Sequence, residues 1–371
     1  MEIKITRSEL MKGLGLTQSI VERKTTMPIL ANVLLEAGNK NISFTATDLE
    51  VGLNCTHQAE VIKEGKVTIH ARSLYDIVKE LPDDLVHLKL KDGNWVEIRC
   101  GKSSFKIVGL SPEEFPALPK RGAGQTQRTD CSLISGMIEK TAFAMSSDET
   151  RYNLNGVYVD FSGGENGKTL LMVATDGHRL SIVKRETEKK WNLSKGGIVP
   201  RKGVMELKRL AESSSDAPIE LWADAKHIMA YKDNITLVIR LIDGQFPPYE
   251  QVVPKKGRRV LSIGRDELIH ALKRVSVLST DRTRGVRFAI SPNNLDITAS
   301  NPDLGEAKEE LAVQYKGESF EIGFNAKYFI DALGAIDDEQ AVLQLGDETS
   351  PCLIMSEFDR GFTHVIMPMR L

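Results

Sequence analysis

The chain has 371 residues, of which 41% are hydrophobic and 27% charged, with a formal net charge of −2. Those values belong to ordinary globular proteins and exclude disordered and collagenous classes. The near-balance of charge excludes a protein that holds nucleic acid by bulk basicity, so any such contact depends on how the charges are distributed.

The four cysteines, Cys55, Cys100, Cys131 and Cys352, are scattered, without a Cys-x-x-Cys pair or a histidine at metal spacing. That pattern argues for reduced thiols in a cytoplasmic protein and against a disulfide or zinc framework. Residues 1–15 carry no cationic start followed by an apolar core, and no apolar run approaches membrane-spanning length.

The first amphipathic pattern has Leu10, Leu14 and Ile20-Val21 at helical spacing, with Thr6 or Ser8 as N-cap. The spacing predicts a helix over 6–19, then a strand over 29–35. A Gly38-Asn39 turn leads into Phe44-Thr45-Ala46-Thr47-Asp48. A second helix, over 71–81, has Leu74, Ile77, Val78 and Leu81 on one face, with alternating strands expected over 86–90 and 96–100. Phe115-Pro116-Ala117-Leu118-Pro119 closes the stretch, because proline cannot donate to a sheet ladder.

The same order then returns twice. A helix over 131–145 precedes a strand over 154–161, a Gly163-Gly164 turn and the run ending Thr175-Asp176. A helix over 201–212 follows, then strands over 219–222 and 235–241, and Phe246-Pro247-Pro248-Tyr249 as closure. In the last third the helices are expected over 265–279 and 327–336. Strands are expected over 286–290, 341–345 and 353–355. Asp48 and Asp176 lie 128 positions apart, and Asp176 and Asn301 125. The chain therefore reads as an α+β protein of three repeated units, each built from two βαβββ halves. Domains are expected over 1–122, 128–252 and 258–371.

Asp176-Gly177 between Leu170-Leu171-Met172-Val173 and Leu180-Ser181-Ile182-Val183 is a strong hairpin signal. Asp176 and His178 also admit a catalytic reading, with His178 as base and Asp176 as its orienter. No Gly-x-Ser-x-Gly elbow or other nucleophile accompanies them, so a soluble hydrolase stands only as an alternative. A peptide-binding scaffold without DNA binding is another. Gly122-Ala123-Gly124 lacks the Gly-Lys-Ser/Thr of a phosphate loop. No catalytic residue, cofactor or metal is expected.

Five motifs stand in order along the three copies. They are Arg151-Tyr152-Asn153-Leu154-Asn155-Gly156, the run from Val173 to Leu180, Val199-Pro200-Arg201-Lys202-Gly203-Val204, Ile322-Gly323-Phe324-Asn325, and the tail Met367-Pro368-Met369-Arg370-Leu371. Together they resemble the bacterial sliding clamps, the beta subunit family of DNA polymerase III, over the full length. The resemblance implies a homodimer closed head to tail around duplex DNA, sheets outside and helices lining the hole. It implies sequence-independent DNA contact, a clamp loader, and DNA polymerase subunits and repair proteins docking through linear peptide motifs, with no membrane partner. Charge gives an independent test. The six helix windows hold thirteen basic and nine acidic residues in a chain that is acidic overall, as a lining that slides along phosphates needs.

By the same resemblance the DNA contacts are Lys24, Arg72, Lys79, Tyr152, Arg201 and Lys202. The peptide groove is Leu154, Thr175, Gly177, His178, Arg179, Leu180, Pro247, Val252, Val365, Met367, Pro368, Met369 and Leu371. The joint between chains is Phe105 and Ile107 against Val277 and Leu278, four residues whose apolar character fits core packing equally well. This chain departs from the family pattern at Asp148 and Asn153, and carries Glu250-Gln251 where some members have a basic pair.

Overall fold

A computed structural model describes residues 1–22, 26–122, 126–187, 190–191, 193, 196–254, 259–279 and 284–370. The first third runs β1 (Glu2–Thr6), α1 (Arg7–Thr17), β2 (Asn32–Gly38), β3 (Asn41–Thr47), β4 (Val51–Gln58), β5 (Glu60–Lys63), β6 (Gly65–His70), α2 (Ala71–Glu80), β7 (Leu85–Leu90), β8 (Trp95–Cys100) and β9 (Ser103–Leu110). The second runs β10 (Gln127–Thr129), α3 (Cys131–Glu139), β11 (Gly156–Asp160), β12 (Thr169–Thr175), β13 (Arg179–Glu186), β14 (Gly197–Pro200), α4 (Arg201–Ala211), β15 (Ile219–Ala223), β16 (His227–Lys232) and β17 (Ile235–Arg240). The third runs β18 (Arg259–Gly264), α5 (Arg265–Val275), β19 (Gly285–Ser291), β20 (Asn294–Asn301), β21 (Gly305–Ala312), β22 (Phe320–Asn325), α6 (Ala326–Leu333), β23 (Gln340–Leu345), β24 (Cys352–Met355) and β25 (Phe362–Ile366). Each third is thus two βαβββ halves, with β5 as the one addition.

Local chemistry sets the boundaries. Thr6 is the cap of α1, its Oγ1 accepting from Glu9 N at 3.3 Å. Pro28 opens a 3-10 turn, Pro28–Ala31, so the strand expected from residue 29 begins at Asn32. The helix expected over 131–145 stops at Glu139, where Thr141 Oγ1 donates to Met137 O at 2.8 Å, and the chain continues as a 3-10 turn, Ala142–Ala144. The helix expected over 265–279 likewise ends at Val275 and passes into the 3-10 turn Ser276–Leu278.

The contacts gather into two units. Met1–Ile134 with Lys202–Leu241 forms one, and Ser135–Arg201 with Ile242–Leu371 the other. The first holds a 13-stranded sheet in the order β10-β15-β16-β17-β4-β3-β2-β6-β9-β8-β7-β1-β5. The second holds an eight-stranded sheet, β14-β11-β12-β13-β25-β24-β23-β18, and a four-stranded one, β21-β20-β19-β22. Helices cover the sheets with apolar faces. Leu10 and Leu14 of α1 are buried, and Gly13 lets the helix lie so close to Phe44 that a Cβ there would sit 2.6 Å from the ring. In the last third Phe288, Phe324 and Phe329 pack with centroids 4.9–5.5 Å apart. Burial of each such ring stabilises by about 1.5–3 kcal/mol.

One pairing rule recurs. The last strand of a first half pairs antiparallel with the last strand of the second half of the next third. β4 meets β17 from Val51↔Ile239 to Cys55↔Ile235. β13 meets β25 from Arg179↔Ile366 to Val183↔Phe362. Two strands are left over. Among the described residues β21 pairs only with β20, and residues 103–108 of β9 pair only with β8.

Candidate functional site

The Asp176 turn is built by side chains closing on the backbone. Asp176 Oδ1 accepts from His178 N at 2.9 Å and Arg179 N at 3.0 Å. Thr175 Oγ1 donates to Arg179 O at 2.6 Å and accepts from Gly177 N at 3.1 Å, while Gly177 takes φ +88°. The first third repeats these bonds. Asp48 Oδ1 accepts from Glu50 N and Val51 N, and Thr47 Oγ1 donates to Val51 O and accepts from Leu49 N, with Leu49 at φ +76°. The repeat read from sequence is therefore a repeat of hydrogen bonds.

Arg179 is buried and fully engaged. Its Nε lies 3.0 Å from Asp176 Oδ2, its Nη1 2.6 Å from Asp331 Oδ2 and its Nη2 2.5 Å from Phe143 O, and the guanidinium lies over Tyr328 at 4.6 Å. Both oxygens of Asp176 are thus committed to the turn and to Arg179. They do not orient the exposed His178 ring, and the hydrolase alternative loses its second residue.

Beside this turn lies a cleft of about 250 Å³. Nine of the thirteen groove residues expected from sequence line it: Leu154, Thr175, Gly177, Arg179, Leu180, Pro247, Val252, Val365 and Met367. Pro248, Tyr249 and Gln251 complete the lining. Sequence reasoning missed these three, although Tyr249 closes the Phe246-Pro247-Pro248-Tyr249 motif. His178, Pro368 and Met369 are not among the lining side chains, and Leu371 lies outside the described residues. The floor is an apolar cluster of Val173, Leu180, Ile182, Leu353 and Val365, with Tyr158, Phe246, Tyr249 and Val253 packed on it. The tail is held at two points, by Met367 N donating to His178 O and Met369 N to Gly323 O, each at 2.9 Å.

The expected DNA contacts fall into two kinds. Arg72, Lys79 and Tyr152 are exposed, and among the described residues Arg72 has a loose charged neighbour, Asp76 at 3.9 Å. Arg201 and Lys202 are not free solvated charges. Arg201 Nη2 donates to Met145 O and Ser146 O at 3.1 and 2.9 Å. Lys202 Nζ donates to Ile20 O at 2.7 Å and to Asp48 Oδ2, whose carboxylate is buried. Lys24 lies outside the described residues. Asp148 holds its own loop by accepting from Thr150 N and Oγ1, and Asn153 Nδ2 donates to Gln245 O at 3.3 Å.

None of the four joint residues is core. Phe105 and Val277 are exposed, 38% and 73%, and Ile107 and Leu278 are half-buried. Phe105 and Ile107 lie on the open part of β9, while Val277 and Leu278 belong to the 3-10 turn that packs against β21.

Family profiles of the DNA polymerase III beta subunit match end to end: its N-terminal domain over residues 1–119, its central domain over 130–248 and its C-terminal domain over 250–370. The chain belongs to the DNA polymerase III beta subunit family, the beta sliding clamps. The beta sliding clamp of Caulobacter vibrioides is 37% identical over 374 residues, and that of Pseudomonas putida 38% over 373, with all of both chains covered. A crystal structure of the Caulobacter crescentus clamp superposes with a TM-score of 0.95 at 37% identity, covering both chains fully. The Pseudomonas aeruginosa clamp bound to griselimycin does so at 0.92 and 36%. A beta sliding clamp is a non-catalytic processivity subunit that serves DNA polymerase III in replication, which disfavours both alternatives. Among the described residues of this clamp no helix is long and apolar enough to cross a membrane, and no three His, Cys, Asp or Glu gather as metal ligands.

Proposed function

We propose that two copies of this chain close head to tail into a ring that encircles duplex DNA and tethers polymerases and repair proteins by linear peptides in the Leu180–Val365–Met367 groove. One observation carries the assembly. The pairing rule that joins β4 to β17 and β13 to β25 leaves β21 and residues 103–108 of β9 as the unmatched pair, each bordered by exposed or half-buried apolar residues. Pairing β21 with the β9 edge of a second chain continues the rule, and repeating it at the other end closes the assembly with twofold symmetry. Domains over 1–122, 128–252 and 258–371, a cytoplasmic location and opening by a clamp loader belong to the same reading.

The DNA contact follows from charge. Arg72 and Lys79 on α2, with Tyr152, offer exposed groups for sequence-independent contact, and Lys24 falls in the same proposed set. Arg201 adds positive potential from a position fixed by its bonds to backbone carbonyls, while Lys202, in the same proposed set, has its charge balanced by Asp48.

Retention on DNA tests the ring. Once loaded, the protein should stay on a circular plasmid at salt that dissolves phosphate contacts, and should leave when the plasmid is linearised. Loss from circles and lines alike at high salt, or equal retention on both, would overturn it.

A further inference from the structure

The two ladders inside the chain carry a register as well as a pairing. Helices α2, α4 and α6 begin at Ala71, Arg201 and Ala326. The residue three places before each helix meets the end of its half: Thr68 pairs with Leu110, Ile198 with Ile242, and Gly323 O accepts from Met369 N. Leu110, Ile242 and Met369 are therefore equivalent, and so are Ile107, Ile239 and Ile366. On the other side, the hairpin pairs Thr47↔Gly52, Thr175↔Leu180 and Ser300↔Glu306 precede Asp48, Asp176 and Asn301 by one residue. They make Val51, Arg179 and Gly305 equivalent. Val51 faces Ile239 and Arg179 faces Ile366, so Gly305 corresponds to a place opposite Ile107. The next rung is a backbone bond in both ladders, Arg240 N to Glu50 O at 2.8 Å and Met367 N to His178 O at 2.9 Å. Its counterpart joins Val108 N to Leu304 O.

We infer that Trp95 and Val108 of one chain and Leu304 of a second copy form an apolar seam on the outer face of the β9–β21 joint, with Val108 directly opposite Leu304. The inference rests on the ring reading above and adds to it a register and a second apolar face. Phe105 and Ile107 pair with Ile98 and Val96, whose side chains are buried, so they point to the core side of the sheet. Trp95 pairs with Val108 and points the other way. Trp95, Val108 and Leu304 are large apolar residues left 38%, 58% and 64% exposed. Opposite residues of antiparallel strands share a face, so pairing in this register brings the three into one row and removes them from water. Charge supports the same register without having been used to find it. Lys106, whose amine lies 4.7 Å from the Trp95 ring centroid, comes opposite Glu306, and both are exposed.

Cross-linking of the full chain tests the register. The double variant Val108→Cys/Leu304→Cys should run as a covalent dimer on a non-reducing gel after mild oxidation, because opposite Cα atoms about 5.5 Å apart lie within disulfide reach. Neither single variant should do so. Val108→Cys/Glu306→Cys, displaced by two residues, should also stay non-covalent. Subunit exchange tests the seam. Leu304→Ala and Trp95→Ala should each speed the mixing of differently labelled dimers at least about tenfold, since each loses an apolar contact at both joints. A dimer cross-linked by the displaced pair, or by neither pair, overturns the inference alone. So does an unchanged exchange rate in Leu304→Ala. A parent protein that sediments as a monomer at micromolar concentration overturns the ring reading and this inference with it.

Discussion

Arg179 Nη1 lies 2.6 Å from Asp331 Oδ2, a contact between residues 152 positions apart that ties the Asp176 turn to α6. The guanidinium also satisfies Phe143 O, so one side chain holds the turn, the helix and a 3-10 segment in register. Arg179→Ala should therefore leave Asp176 short of a partner and expose a buried carbonyl. A loss of about 3–5 kcal/mol is expected, as for other broken buried ion pairs. Urea unfolding measures it. A loss within 0.5 kcal/mol, the ordinary surface range of roughly that size, would show the network to be ornamental.

The groove depends on a tail pinned at Met367 and Met369. Deleting residues 367–371 should weaken binding of partner peptides while leaving the assembly state unchanged. Of these residues Met367 lines the cleft, and losing the burial of one such apolar side chain, about 1.5–3 kcal/mol, lowers affinity by roughly ten- to a hundredfold. Unchanged affinity in the truncated protein would move the site elsewhere.

Charge at the joint should separate the chains without unfolding them. Leu278→Asp places a carboxylate beside the open edge of β21, where Glu306, Glu309 and Glu310 already lie. Sedimentation should show a folded monomer at concentrations where the parent protein is a dimer. A parent protein that is itself monomeric at micromolar concentration would remove the basis for the ring.

Basic residues on the helices should sort by their bonds. Arg72→Ala and Lys79→Ala should each weaken direct binding to duplex DNA and lower its salt slope by about 1, without loss of stability. Lys202→Ala should instead leave Asp48 buried and unpaired, costing about 3 kcal/mol in unfolding. A Lys202→Ala protein of full stability but reduced salt slope would place this lysine with the free phosphate ligands.

Acid should weaken the fold through His364. Its ring is fully buried, packs against Phe143 and Phe362, and among the described residues has no hydrogen-bond partner on either nitrogen. Burial, with Arg179 nearby, pushes its pKa down to about 3. The unfolded imidazole titrates near about 6.5, so between those values the unfolded chain binds a proton that the folded chain does not. Stability therefore falls as pH drops below about 6.5, by up to about 1.4 kcal/mol per pH unit. His364→Phe should flatten that slope, seen as a smaller loss between pH 7 and pH 5 in urea titrations.

Much of the fold is legible in the sequence itself. The Thr-Asp turns, the apolar stripes of six helices and the closing prolines are local signals, and they carry the repeat; the groove residues follow instead from the family resemblance of the five motifs. The short leading strands of each half were harder to see. Strands such as β10 and β14 span three and four residues, too few for alternation to register. The occupation of Arg201 and Lys202 was hidden for another reason. The partners of Arg201 lie 46 positions away or more and those of Lys202 154 or more, and no spacing along the chain encodes such a meeting. Tyr158 and Phe246 stack across 88 residues and escaped for the same reason.

The joints between thirds inside a chain are five-rung ladders of backbone pairing, from Val51↔Ile239 and from Arg179↔Ile366. Such a ladder is covalently tethered on both sides, so its halves remain at high effective concentration and rejoin after any breach. The β9–β21 contact proposed between chains has no such tether. In the proposed ring it is the natural gate: DNA would have to enter there, and a loader would need to part only one of the two joints.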